Sequence, residues 1–165
     1  FVTSVEVKES LFLGQLAIFS GCVFVERRNK ENIHNEIKEI TDSLKGGINV
    51  CIFPEATSTN GEELLRFRRP LYQASIDSSC KVLPIVLHYN KLNGEKVTTK
   101  NRDIICWYGD MDFFPHLWNL MKQKSMEIDI EVLEPIEPKG DIDPADLAQR
   151  SYDLVASNYT PIQAP

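Results

Sequence analysis

Two segments concentrate side chains able to do chemistry. One is Glu26-Arg27, which ends the apolar run of residues 22–25. The other is Phe53-Pro54-Glu55-Ala56-Thr57-Ser58-Thr59-Asn60-Gly61, where one carboxylate and three hydroxyl groups occupy five positions directly after a proline. The planar guanidinium of Arg27 suits an anion, and the carboxylate with its hydroxyl neighbours suits the polar hydroxyls of a substrate. Ser, Thr, Asn and Gly are also what an ordinary turn requires, so the residues alone leave the second segment open between a site and a turn. Arg66, Arg68 and Arg69 surround Phe67. They read either as a solvated charged face or as a basic, aromatic patch of the kind that meets a bilayer surface.

The elements that must position these residues follow from hydrophobic period. Residues 1–7 are rich in β-formers, and residues 9–19 carry a loose helical face ended by Gly21. Residues 22–25 form a short, continuous apolar run of buried-strand type. From Asn29, an N-cap, Ile33, Ile37, Ile40 and Leu44 recur at helical spacing, and Gly46-Gly47 closes the helix. Residues 48–53 read as a second buried strand stopped by Pro54. Residues 70–78 read as a helix with Pro70 in its first turn, and residues 82–89 as a strand whose Pro84 suggests an edge or a bulge. Asn93-Gly94 marks a turn that would pair this strand with another at residues 104–108. Residues 113–124 read as a helix with Phe113, Phe114, Leu117, Trp118 and Met121 in the core, Trp118 being the least secure of these. Residues 126–133 alternate as a half-exposed strand, and Asp143-Pro144 starts a last helix, followed by a loose tail at residues 161–165. Strand, helix and strand in this order make an α/β fold with right-handed crossovers. In such a sheet, ligands bind outside the carboxyl ends of the strands, where both loaded segments lie.

Composition limits the rest. A chain of 165 residues with 42% hydrophobic residues is long enough for one domain, assigned to residues 1–160, and excludes disorder. The net charge of −6 comes from residues 126–165, which hold nine acidic and two basic side chains, so nucleic acid is not an expected partner. The four cysteines, Cys22, Cys51, Cys80 and Cys106, have neither zinc spacing nor a CxxC pair and read as free thiols; no metal is expected. No stretch of 18 uninterrupted apolar residues is present. Phe1 to Val5 carry neither an initiator Met nor a charged signal-peptide start, which reads as the interior of a longer protein.

Gly21-Cys22-Val23-Phe24-Val25-Glu26-Arg27, Ile52-Phe53-Pro54-Glu55-Ala56-Thr57-Ser58 and Val82-Leu83-Pro84-Ile85 resemble, in this order, three signature blocks of the glycerolphosphate and lysophospholipid acyltransferase family. The resemblance extends from Val5-Glu6-Val7-Lys8-Glu9 through Tyr108-Gly109-Asp110-Met111 to about Pro135. It implies an α/β fold with a mixed sheet flanked by helices, missing its N-terminal part. It also implies an O-acyltransferase that moves a fatty acyl group from acyl-CoA or acyl carrier protein to the hydroxyl of a lysolipid: a lysophospholipid, lysophosphatidate or lyso-ornithine lipid. No cofactor beyond the thioester donor is implied. The expected setting is the cytoplasmic face of a membrane.

The site residues that the resemblance implies are Glu55 for catalysis and Arg27, Glu55, Ala56, Thr57, Ser58, Arg66 and Arg68 for substrate, with Arg66 and Arg68 on the donor's phosphates if they are not on a bilayer. The family's general base, a His followed four residues later by Asp, is absent from this chain. His34, His88 and His116 do not match it, and family order places it upstream of Phe1. Two positions depart from the pattern. Ala56 stands where the family usually has Gly, a tolerable change unless positive φ is needed. Ser58 stands where Arg is frequent, which points to an acceptor whose phosphate is a diester or whose head group is zwitterionic. The competing expectation is a non-catalytic, lipid-binding or structural remnant of the same fold.

Overall fold

The computed structural model describes residues 2–4, 14, 15, 19, 22–25 and 33–165. Two compact units share the chain: Phe1–Ala56 with Phe67–Val82 and Pro135–Ser151, and Thr57–Arg66 with Leu83–Glu134 and Tyr152–Pro165.

In the first unit, β1 (Val2–Ser4) pairs in parallel with β2 (Val23–Val25), Thr3 opposite Phe24. The apolar run at residues 22–25 is therefore a strand, as its composition predicts. Helix α1 (Ile33–Lys45) carries the expected stripe. Its end is a Schellman closure: the Ile48 N–H donates to Ser43 O at 3.1 Å and the Gly47 N–H to Leu44 O at 3.0 Å, with Gly47 at φ +82°. The Asn29 cap predicted for its start lies outside the described residues, as do Arg27 and Glu26. A 3-10 turn (Pro70–Tyr72) runs into α2 (Gln73–Ser78), with Pro70 in the first turn, where its missing N–H costs nothing. Ile40 of α1 and Ala74 of α2 are buried together, flanked by Ile37, Leu44, Val50, Ile52 and Leu71.

Residues 48–53 are extended in neither strand nor helix, contrary to the sequence reading. Val50 and Ile52 do turn one face onto the α1–α2 core, while Ile48 and Phe53 are exposed. Apolar patterning reports that burial and says nothing about a ladder partner, and among the described residues this segment has none.

The second unit holds a three-stranded antiparallel sheet in the order β4-β3-β5, from β3 (Ile85–Leu92), β4 (Glu95–Lys96) and β5 (Met126–Val132). The Asn93-Gly94 turn joins β3 to β4, so the hairpin forms locally and residues 104–108 are not its partner. That stretch instead begins as a 3-10 turn (Arg102–Ile104), because the Arg102 N–H reaches Thr98 O and Asn101 Oδ1 accepts from the Thr98 N–H at 2.9 Å. β3 is the central strand and not an edge. Pro84 sits just before it, where its carbonyl accepts from the Leu133 N–H at 3.0 Å and no donor is required. The irregularity in β3 falls between Tyr89 and Lys91, not at Pro84. Helix α3 (Phe113–Met121) precedes β5. Helix α4 (Pro144–Asn158) starts at Asp143, whose Oδ1 accepts from the N–H groups of Ala145 and Asp146 at 2.7 and 2.8 Å. The expected loose tail is tied within the second unit: the Ile162 N–H donates to Gly61 O at 2.8 Å, and Gln163 O accepts from the Thr99 N–H.

Candidate functional site

In the first unit, Pro54 and Glu55 form a tight turn, closed by the Ala56 N–H donating to Phe53 O at 3.0 Å. A second bond fixes it from outside: the Arg68 N–H donates to Pro54 O at 2.8 Å. The turn thus stands on α1 and α2 through Val50 and Ile52 on one side and on the Arg68 backbone on the other. Ala56 has φ +57°, a left-handed conformation that a Cβ disfavours by about 1–2 kcal/mol. The sequence comparison of Ala with Gly at this position therefore touches a real backbone requirement, and the chain meets it with a strained residue.

This turn is one wall of a cleft of about 1180 Å³ within the first unit. Pro54 and Ala56 line it together with Arg68 and Arg69, and α1 lines it as well, with His34, Glu36, Lys38, Asp42 and Lys45; Asp77 and Asp143 complete its charged lining. Lys38 is paired with Asp42 at 2.8 Å, an exposed bond that lowers the carboxylate's pKa and raises the amine's. Arg68, Arg69 and Lys45 have no ion-pair partner among the described residues. Exposed, unpaired cations around an open cleft hold anionic ligands at little desolvation cost.

The structure brings together only part of the predicted set. Glu55 lies half-buried in the turn but is not among the residues that line the cleft, whereas Ala56, Arg68 and Arg69, the last not singled out for substrate, all line it. Thr57, Ser58 and Arg66 are exposed and belong to the second unit. Phe67 is buried at 9% exposure, so the Arg66–Arg69 stretch is not an aromatic patch for a bilayer. His34 and Lys45, which sequence reasoning set aside or passed over, were legible as a second stripe. His34, Lys38, Thr41 and Lys45 repeat at helical spacing beside Ile33, Ile37, Ile40 and Leu44.

The rest of the loaded segment is built for shape. Asn60 Oδ1 accepts from the Glu62 N–H at 3.0 Å and Thr59 Oγ1 from the Gly61 N–H at 3.2 Å, two local turns. Gly61 has φ +76°, and a Cβ there would lie 2.6 Å from Ile162 Cδ1. Its carbonyl accepts from the Tyr159 hydroxyl at 2.7 Å. Glu62 pairs with Arg102 at 2.8 Å, and that hydrogen bond lowers its pKa from the usual carboxylate value. His88 is bonded to Glu131 at 2.9 Å. Among the described residues, no group of three or more His, Cys, Asp or Glu is placed to hold a metal.

Residues 1–88 match the family described as Acyltransferase. Among curated proteins, the chain is 28% identical over 144 residues to the lyso-ornithine lipid O-acyltransferase of Rhizobium meliloti, covering 83% of this chain and 49% of the relative. It is 29% identical over 131 residues to the 1-acyl-sn-glycerol-3-phosphate acyltransferase of Neisseria gonorrhoeae, covering 79% of this chain and 49% of the relative. With the lyso-ornithine lipid O-acyltransferase of Pseudomonas aeruginosa it shares 30% identity over 94% of this chain and 57% of the relative. The chain thus spans about half the length of the curated relatives it matches. Among solved structures, the crystal structure of the 1-acyl-sn-glycerophosphate acyltransferase PlsC from Thermotoga maritima superposes with a TM-score of 0.60 at 16% identity, over 96% of this chain and 54% of that one. That likeness establishes the α/β fold.

Proposed function

We propose, from the premise that this chain belongs to the acyltransferase family, that it serves transfer of a fatty acyl group from a thioester donor to the hydroxyl of a lysolipid. The observation that supports this reading is the pinned Phe53-Pro54-Glu55-Ala56 turn beside Arg68 and Arg69, which line one cleft with Pro54 and Ala56 and have no ion-pair partner among the described residues. Arg68 and Arg69 hold the phosphate of the acceptor or of the donor through charge-assisted hydrogen bonds. Glu55 orders the turn and binds acceptor hydroxyls, and Arg27, of the preceding signature block, adds a cation on the acceptor side. The general base is a His supplied upstream of residue 1; His34, in the cleft lining, is the candidate within the chain should such a His not exist.

Acyl carrier protein and acyl-CoA are both compatible donors. With Arg68 and Arg69 on the donor's phosphate, Ser58 offers the acceptor one hydrogen bond and no charge, which favours a phosphodiester or zwitterionic head group; with both arginines on the acceptor, a phosphomonoester is matched and that preference disappears. Relatives named for a lyso-ornithine lipid and for 1-acylglycerol-3-phosphate leave both acceptor types in view. The test is acyl transfer by the full-length protein, with labelled acyl-CoA or acyl carrier protein, onto lyso-ornithine lipid, lysophosphatidylcholine, lysophosphatidylethanolamine and lysophosphatidate. Transfer that is strongest to lysophosphatidate would contradict the Ser58 argument, and no transfer to any lysolipid would contradict the function.

A further inference from the structure

Helix α3 does not bury the aromatic residues that its sequence assigns to the core. Phe114, Trp118 and Met121 are 60%, 62% and 68% exposed and follow one another at helical spacings of four and three, a single apolar stripe with no partner among the described residues. Phe113, His116, Leu117 and Leu120 face inward instead. Trp107, 41% exposed, meets Phe113 edge-on at 5.4 Å, and Phe113 meets Phe114 at 5.6 Å, so both tryptophans of the chain flank one aromatic surface.

Charge says what covers this stripe. The chain has 24 acidic residues, yet none falls between residues 113 and 126, where Lys122 and Lys124 stand at the helix's C-terminal end. Lys122 Nζ lies 5.8 Å from the Trp118 ring, an ammonium carried beside an aromatic face. Asp110 and Asp112 stand at the other end of the helix, so the basic end has a defined direction. An exposed Phe, Trp and Met row on a short helix, with Lys122 beside it and Lys124 just past the helix end, is the composition of an element that lies in the plane of a bilayer. The rings sit at the level of the head groups and the ammoniums on anionic lipid. A protein partner would have to match the stripe with apolar surface and the two lysines with acidic side chains; an anionic bilayer supplies both at one boundary. No helix among the described residues is long and apolar enough to cross a membrane, so contact of this kind is peripheral.

We propose that the Phe114–Trp118–Met121 face of α3, with Lys122 and Lys124, is the surface by which this chain docks on an anionic lipid bilayer. The choice of lipid as the occupant rests on the lysolipid reading above, while the placement on α3 rests on exposure and charge alone. The experiment is co-sedimentation of the full 165-residue chain with vesicles of phosphatidylglycerol and phosphatidylethanolamine, against vesicles of phosphatidylcholine alone. The chain should partition onto the anionic vesicles. The double variant Phe114→Ser, Trp118→Ser should lower that partitioning tenfold or more. The double variant Lys122→Gln, Lys124→Gln should lower it about tenfold on anionic vesicles and leave phosphatidylcholine binding unchanged. Should the serine variant fail to fold by circular dichroism, quenching of tryptophan fluorescence by brominated phosphatidylglycerol in the unaltered chain decides. Quenching supports the docking, and its absence overturns it. Unchanged partitioning of a folded serine variant also overturns it, as does sedimentation showing that the stripe instead joins two copies of the chain in the absence of lipid. Binding is read without acyl transfer, so a chain that docks but transfers nothing contradicts the function and not this surface.

Discussion

The cleft of the first unit and the sheet of the second treat their charged residues in opposite ways. Along β3 and β5 the polar groups are matched across strands: His88 with Glu131, Asn90 with Asp129 at 2.8 Å, Lys91 with Glu127 at 3.1 Å. Next to them, Glu62 is matched with Arg102. Around the Phe53–Ala56 turn, Arg68, Arg69 and Lys45 have no such partner among the described residues, and Ala56 is held at a positive φ. The charges of β3 and β5 are matched within the fold, although the apolar residues Ile85, Leu87, Met126, Ile130 and Val132 of these strands are exposed. Cations left without a partner beside a strained, externally pinned turn are what the proposed ligand site requires.

The contrast is broken most forcefully at the two arginines. Replacing both, as Arg68→Ala with Arg69→Ala, should weaken binding of acyl-CoA or of a phosphate-bearing lysolipid about 100-fold, while urea melts move by no more than ~0.5 kcal/mol. Calorimetric titration alongside the melts checks both halves. In the second unit the expected effect is on stability and not on binding. Gly61→Ala imposes a disfavoured φ and pushes into Ile162, and should cost about 2 kcal/mol in denaturant melts with ligand affinity retained.

A smaller effect of opposite sign sharpens the claim that the turn is strained. Ala56→Gly relieves the left-handed Cβ and should raise stability by about 1 kcal/mol, less the chain entropy that glycine adds to the unfolded state. An unchanged or lower melting temperature would show that the strain is not stored there. Smallest of all, Lys91→Gln should change stability by under ~0.5 kcal/mol, as exposed cross-strand pairs do. The Glu62–Arg102 pair has a pH signature. With the folded carboxylate's pKa below the usual 4.5, its contribution is complete above that value and is lost as pH falls through the lower, folded pKa. An Arg102→Gln variant should lack this acid-side loss.

What the sequence made legible was local. The α1 stripe with its double-glycine closure, Pro70 opening a helix, Asn93-Gly94 turning a hairpin and the strand β5 all have causes within a few residues, and each stands in the structure, although the alternation of β5 does not become alternating burial: Met126, Ile130 and Val132 are exposed like the acidic residues between them. Failures came where a decision depends on a distant partner. The apolar run at residues 48–53 packs on the core yet has no ladder, and residues 104–108 lost their strand to a hydrogen bond made by Asn101. The stripe of α3 shows the same limit: its period announces a helix face, but only the fold decides whether that face meets protein. At the site, the Phe53–Ala56 signature located the turn, whereas the role of the Arg68 backbone in pinning it has no sequence signal, because any non-proline residue can donate that bond.

The most direct measurement compares steady-state acyl transfer to a lysolipid by the full-length protein and by three of its variants: Glu55→Gln, Arg68→Ala and Lys91→Gln. The first should lower kcat, the second should raise the KM for acceptor or donor about tenfold or more, and the third should leave both parameters unchanged, with all three folded to the same extent. Glu55→Gln and Arg68→Ala enzymes as active as Lys91→Gln would contradict the assignment of the first unit's cleft as the place where acyl transfer occurs.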